Sequence, residues 1–154
     1  MASSYERVIA EILRDGRPDV PGVVGFQSLY GWELFDFATV SSRHIFIGQE
    51  PKDPDDCVTV IPEAGGPPTR RFARDLGWTV RVRAAGYEDM RTFGEQVNEI
   101  LQDLESSLRK VGIFRVQANF EPTILGRDGG DRGGRYLSTQ SFGAVSRTFA
   151  RFTP

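Results

Sequence analysis

Residues 76–110 constrain the fold of this chain more than any other stretch, because the hydrophobic period changes within them from two to about 3.6. Trp78, Val80, Val82 and Ala84 alternate with Thr79, Arg81 and Arg83, the pattern of a strand with one face buried. Tyr87, Met90, Phe93, Val97, Leu101, Leu104 and Leu108 then recur at steps of three and four, the stripe of an amphipathic helix. The spacing predicts a long helix over about 87–109. Glu88 and Asp89 in its first turn and Arg109 and Lys110 in its last complement the helix dipole, and Gly112 supplies a stop. No residue type suited to catalysis sits where this unit could use it. The unit reads as scaffold, so function is expected from surfaces and assembly.

The other elements are shorter. Ser3 and Glu6 have capping-box spacing, and Tyr5, Val8, Ile9, Ile12 and Leu13 form one apolar face, predicting a helix over 4–14 that ends at Asp15-Gly16. His44–Gly48 and residues 57–62 read as strands, separated by a proline- and aspartate-rich turn. Phe114, Val116, Ala118 and Phe120 alternate in a further strand that breaks at Pro122 and extends to about Leu125, and a last strand spans about 135–152. Residues 17–43 are irregular yet carry Phe26, Leu29, Tyr30, Trp32, Leu34, Phe35 and Phe37. Such a segment is too aromatic for a solvated linker. Either it packs on its own domain or it is an arm whose aromatics anchor a neighbour.

Length and composition predict one domain over 1–154, soluble and made in a cytoplasm. Only 39% of residues are hydrophobic, with 17 Gly and 9 Pro, which points to extensive loops and to apolar surface buried against other subunits. A net charge of −2 argues against a dedicated nucleic-acid binder. Residues 1–66 carry five basic and eleven acidic side chains, and residues 67–154 carry fourteen and ten. This asymmetry would suit complementary faces between copies. Nothing reads as a signal peptide or a membrane helix.

The sequence offers little for catalysis. Cys57 and His44 are the only cysteine and histidine; without a third orienting group they make a poor nucleophile pair, and Cys57 reads as a small core residue. Asp53, Asp55 and Asp56 lack the downstream glutamate of a calcium loop. The glycine-rich run 126–134 has no Gly-Lys-Ser/Thr opening a helix, so it reads as a hairpin connection rather than a phosphate loop. Carboxylate pairs such as Glu33 with Asp36 imply no cleft. Arg81 and Arg83 share one strand face, where they could line a surface or pair with Glu95 and Glu99. The expectation is a protein without enzyme activity, cofactor or metal.

Several short segments follow one another in a telling order: Phe46-Ile47-Gly48-Gln49-Glu50-Pro51, Pro54-Asp55-Asp56-Cys57-Val58, Gly65-Gly66-Pro67-Pro68, Val80-Arg81-Val82-Arg83-Ala84, Tyr87-Glu88 and Leu125-Gly126-Arg127-Asp128. In this order, with the first helix, the chain resembles the tailed-phage minor capsid or tail terminator (tail completion) family over roughly residues 44–149. Residues 17–43 depart from that pattern, being longer. The resemblance implies an α+β fold, a small mixed or antiparallel sheet carrying the short N-terminal helix and the long helix. It also implies a virion protein of the tail or neck, assembled in the host cytoplasm, as a homo-oligomeric and specifically hexameric ring. That ring would cap the tail tube, meet the major tail tube protein on one side and the head connector on the other, and let DNA pass without specific binding. Another neck ring or a tube component is the alternative, and a small nucleotide-binding enzyme a remote one. Candidate contact residues are Trp32, Phe35 and Phe37 of the excursion, Arg70, Arg71 and Arg74 after the Gly-Gly-Pro-Pro turn, Arg81 and Arg83, and Arg127, Asp128, Asp131 and Arg132 of the glycine-rich run.

Overall fold

The computed structural model describes residues 5–17, 20–36, 40–52, 54–63, 73–102, 113–118, 123–128 and 134–147. Chain order within them is α1 (Tyr5–Asp15), α2 (Phe26–Tyr30), β1 (Glu33–Leu34), a 3-10 turn (Val40–Ser42), β2 (Arg43–Ile47), β3 (Cys57–Glu63), β4 (Ala73–Ala84), α3 (Tyr87–Leu101), β5 (Ile113–Ala118), β6 (Thr123–Asp128) and β7 (Arg135–Arg147). The expected α+β fold is present. The strands form one mixed sheet in the order β1-β2-β3-β4-β7-β5, with β6 pairing β7 beside β5. β1, β2 and β3 run parallel, and the other pairings are antiparallel.

β4 organises this sheet. It pairs with β3 from Gly77 to Arg83 and with β7 along its whole length, Ala73 opposite Arg147 through Ala84 opposite Tyr136. Its alternation sorts the layers as expected: Trp78, Val80, Val82 and Ala84 are buried, and their cross-strand partners Val60, Val58, Phe142 and Gln140 share that face. α3 covers it through Met90, Phe93, Gly94, Val97, Ile100 and Leu101, and α1 adds Ile9, Ala10 and Leu13. Trp78 stacks on Phe142 at 5.8 Å. Tyr87, at the head of the expected stripe, is exposed instead. The helix is also shorter than the pattern suggested. α3 ends at Leu101, and Gln102 is extended with ψ 129°; Leu104, Leu108 and the C-terminal signals lie outside the described residues, as does Ser3 of the capping box.

The aromatic excursion folds onto its own chain. Phe26 and Trp32 stack at 5.1 Å with 10° between planes, Trp32 stacks on His44 at 4.8 Å, and Phe93 of α3 lies 4.8 Å from Trp32. The return is pinned by a bridge between Gly16 and Val24. Gly16 has φ +93°, and a Cβ on Gly25 would lie 2.2 Å from the Arg14 carbonyl oxygen, so both positions require glycine. Arg17 reaches across to donate from Nη1 to the Gln102 carbonyl at 2.7 Å, placing a cation at the C-terminal end of α3.

Phe93 joins the helix to this aromatic cluster. Phe93→Ala is therefore expected to lower stability by about 3–5 kcal/mol, measured as a fall in the urea midpoint with an unchanged slope.

Candidate assembly surface

The sheet has a second face, away from α1 and α3, and its chemistry is set by how β2 connects to β3. Parallel neighbours cannot be joined by a tight turn: the chain leaves β2 at one end and must return to the start of β3 at the other. Residues 48–56 make that return, and no helix occurs among the described ones, 48–52 and 54–56. Gly48, with φ +86°, turns the chain and donates to the Val60 carbonyl at 2.8 Å. The segment then crosses the face that carries Arg81 and Arg83. Its sequence, Gly-Gln-Glu-Pro-Lys-Asp-Pro-Asp-Asp, has no large apolar side chain to bury, so polar groups must hold it.

Arg83 does most of this. Its side chain is 2% exposed, and each of its five N–H donors has an acceptor on the crossing segment. Nε donates to the Asp55 carbonyl at 3.2 Å; Nη1 to Glu50 Oε1 at 3.1 Å and the Pro51 carbonyl at 2.5 Å; Nη2 to the Lys52 carbonyl at 3.3 Å and the Pro54 carbonyl at 2.5 Å. Arg135 adds a second clamp on the Lys52 carbonyl and lies 3.7 Å from Asp55. At the far end, the Ala85 amide donates to Asp56 Oδ1 at 2.9 Å and His44 Nδ1 to the Asp56 carbonyl at 2.6 Å. Arg81 Nε lies 3.0 Å from Glu50 Oε2, but neither atom makes an aligned hydrogen bond there, so the contact is an ion pair only. Both arginines thus meet Glu50 rather than Glu95 or Glu99.

Beyond this segment the same face changes character. Thr79 donates to Glu63, and Ser141 to Glu63 at 3.3 Å, a polar ladder across β3, β4 and β7. Towards β1, Phe35 is 37% exposed and stacks on Phe46 at 6.0 Å. On the opposite, helix-covered side, Leu29 and Tyr30 of α2 are exposed as well, with the Tyr30 ring 5.2 Å from Phe93 and its hydroxyl 3.0 Å from Gln96 Oε1, both on α3.

The proposed contact residues separate accordingly. Phe35 and Arg81 lie on accessible surface. Trp32 and Arg83 do not: Trp32 is buried between Phe26 and His44, and Arg83 lies under its own crossing segment, so both are corrected to internal residues. Arg74 pairs in register with Ser146, Arg127 with Tyr136 and Asp128 with Arg135. Phe37, Arg70, Arg71, Asp131 and Arg132 lie outside the described residues. β6, which includes Gly126–Asp128, pairs antiparallel with β7, and residues 129–133 of the glycine-rich run lie outside the described residues.

Cys57 and His44 form no catalytic pair. Cys57 is fully buried opposite Arg83, and burial pushes its thiol up to about 11. His44 has both ring nitrogens on backbone carbonyls, those of Asp56 and Ser41. No metal-ligand cluster occurs among the described residues, and no helix among them is long and apolar enough to cross a membrane.

Comparison with known proteins places this geometry. The sequence profile described as bacteriophage tail terminator protein matches residues 29–140 of the 154. The match takes in Glu50, Arg81 and Arg83 and stops inside β7. The chain belongs to the bacteriophage tail terminator family, and so to the structural proteins of phage tails. Comparison with curated proteins returns no match. Among solved structures, a chain from the "Virion of native gene transfer agent (GTA) particle" is similar at 13% identity and a TM-score of 0.49, covering 67% of this chain and 78% of that one.

Two outcomes follow from the polar face. Arg83→Met should cost roughly 3 kcal/mol, because it leaves the Pro51, Pro54 and Asp55 carbonyls without this donor and removes one of the two arginines that meet Glu50, while Arg81→Ala should cost no more than about 1 kcal/mol; urea titration of the two variants compares them. Cys57 contributes stability that is fully present below the ordinary thiol value of 9.0 and lost as pH rises towards about 11. Cys57→Ser should flatten that alkaline fall in thermal midpoint.

Proposed function

We propose that this chain is a tail terminator subunit that acts by assembly rather than catalysis. Copies join into a ring, taken as hexameric, that caps the tail tube, halts its growth and offers a docking face to the head connector. The observation that carries this reading is the family match over residues 29–140. The layout of the described sheet is compatible with it: one face is filled by the chain's own helices, and the other keeps Phe35 and Arg81 available. A heterologous contact that closes on itself buries two surfaces per subunit without forming a fibre.

In this reading one domain spans residues 1–154. Phe35 and Arg81 take part in subunit contacts together with Phe37, Arg70, Arg71, Arg74, Arg127, Asp128, Asp131 and Arg132. The tube protein meets one side of the ring and the connector the other. DNA passes through the lumen without sequence-specific contact, in keeping with the net charge of −2. The subunit works in the virion tail or neck after assembly in the host cytoplasm, and no cofactor or metal takes part.

Analytical ultracentrifugation and negative-stain imaging test the proposal. The wild type should sediment as a ring-sized oligomer and fix the length of tubes polymerising in its presence. Phe35→Asp with Arg81→Gln should weaken association at least tenfold, well beyond the small fall in thermal midpoint that losing the Arg81–Glu50 ion pair brings. A strict monomer that leaves tube length unaltered would overturn the reading.

A further inference from the structure

We infer that the described parts of the crossing segment, residues 48–52 and 54–56, form a latch, which lifts from the sheet while the helices and the remaining strands stay folded. The inference rests on the kind of attachment rather than its number. Nothing from the segment enters the hydrophobic core, whose members come from α1, α2, α3 and the strands around them. Apart from the Gly48 amide on the Val60 carbonyl, which anchors its start, its described ties are the five bonds of Arg83, the Arg135 clamp on Lys52, the Asp56 contacts to Ala85 and His44, and the Arg81–Glu50 ion pair.

When the segment lifts, the freed carbonyls, the carboxylate and the guanidinium all gain water. The helix-covered apolar layer stays closed, Cys57 on the other face being the buried apolar side chain that is uncovered, and the registers of β3 with β4 and of β4 with β7 are left intact. Local opening of this kind lies well below global unfolding in free energy. Pro51 and Pro54 reinforce the effect. They have no N–H to tie into the ladder, and they present their carbonyls to Arg83 as simple acceptors.

The chain carries its own reporter. Cys57, its only cysteine, is fully buried directly after the segment and opposite Arg83. Lifting the latch uncovers it and returns the thiol to ordinary reactivity.

The experiment is the rate of Cys57 modification by a dithiobis-nitrobenzoate reagent at pH 8 in the full chain, followed against urea alongside global unfolding by circular dichroism. The latch predicts two regimes: a rate nearly independent of urea at low concentration, from local opening, and a steep limb that joins global unfolding. Arg135→Gln, which removes the more accessible clamp, should raise the flat regime roughly tenfold and leave the steep limb in place. Glu50→Gln should act in the same direction. A single steep dependence that extrapolates to global unfolding in wild type would overturn the inference, as would an unchanged flat regime in both variants.

Discussion

Two parallel strands joined by residues 48–56 impose a demand that most of the second sheet face answers. A crossover between parallel neighbours has to pass over one face of the sheet, and here the opposite face is already occupied by α1 and α3. A helix would have satisfied its own backbone groups during the return. This irregular segment cannot, and an unsatisfied carbonyl against a sheet is costly. Arg83 meets the demand by offering its donors where the carbonyls fall. The burial of Arg83, the position of Glu50 and the seclusion of Cys57 all follow from that one connection.

The identity of residue 83 follows from acceptor count. Guanidinium has five N–H donors in a fixed planar fork, and the crossing segment supplies four carbonyls and one carboxylate oxygen to them. Lysine, with three donors on a freely rotating ammonium, would leave acceptors bare. Glu50 matters for a different reason. A buried cation without a nearby counter-charge carries a large desolvation cost, and the carboxylate that offsets it comes from the same segment that the cation holds. Cation, counter-charge and carbonyls therefore stand or fall together.

How much of this could be read from the sequence depends on whether the cause was local. The burial of Trp78, Val80 and Val82 and the Met90, Phe93, Val97 and Leu101 face of α3 were legible, because period alone decides which side of an element meets a core. Trp32 was open to two readings, since an aromatic in an irregular segment serves equally as core or anchor. Its stacking on His44 depends on β2 coming alongside β1, a pairing set by only two residues of β1. Arg83 misled for a related reason. Its alternation with Val82 placed it correctly on the far face, but an alternating arginine ordinarily means solvent. The signal that could have corrected this is the pair of prolines at 51 and 54, which mark a segment rich in acceptors and poor in donors. Which cation such a segment meets is decided by strand order, and strand order is not a local property.

The division of the sheet also bears on how such a subunit can assemble. A face that buries its own helices is committed to the fold, and a surface mutation there costs stability before it costs association. The other face is held by polar contacts, and Phe35 and Arg81 are accessible on it without belonging to the core. Contacts between copies that use this face can vary in strength without endangering the subunit, because hydrophobic burial and assembly then draw on different residues. For a structural protein of a phage tail, that separation is a physical advantage. It follows from the same β4 alternation that put valines on one side and arginines on the other.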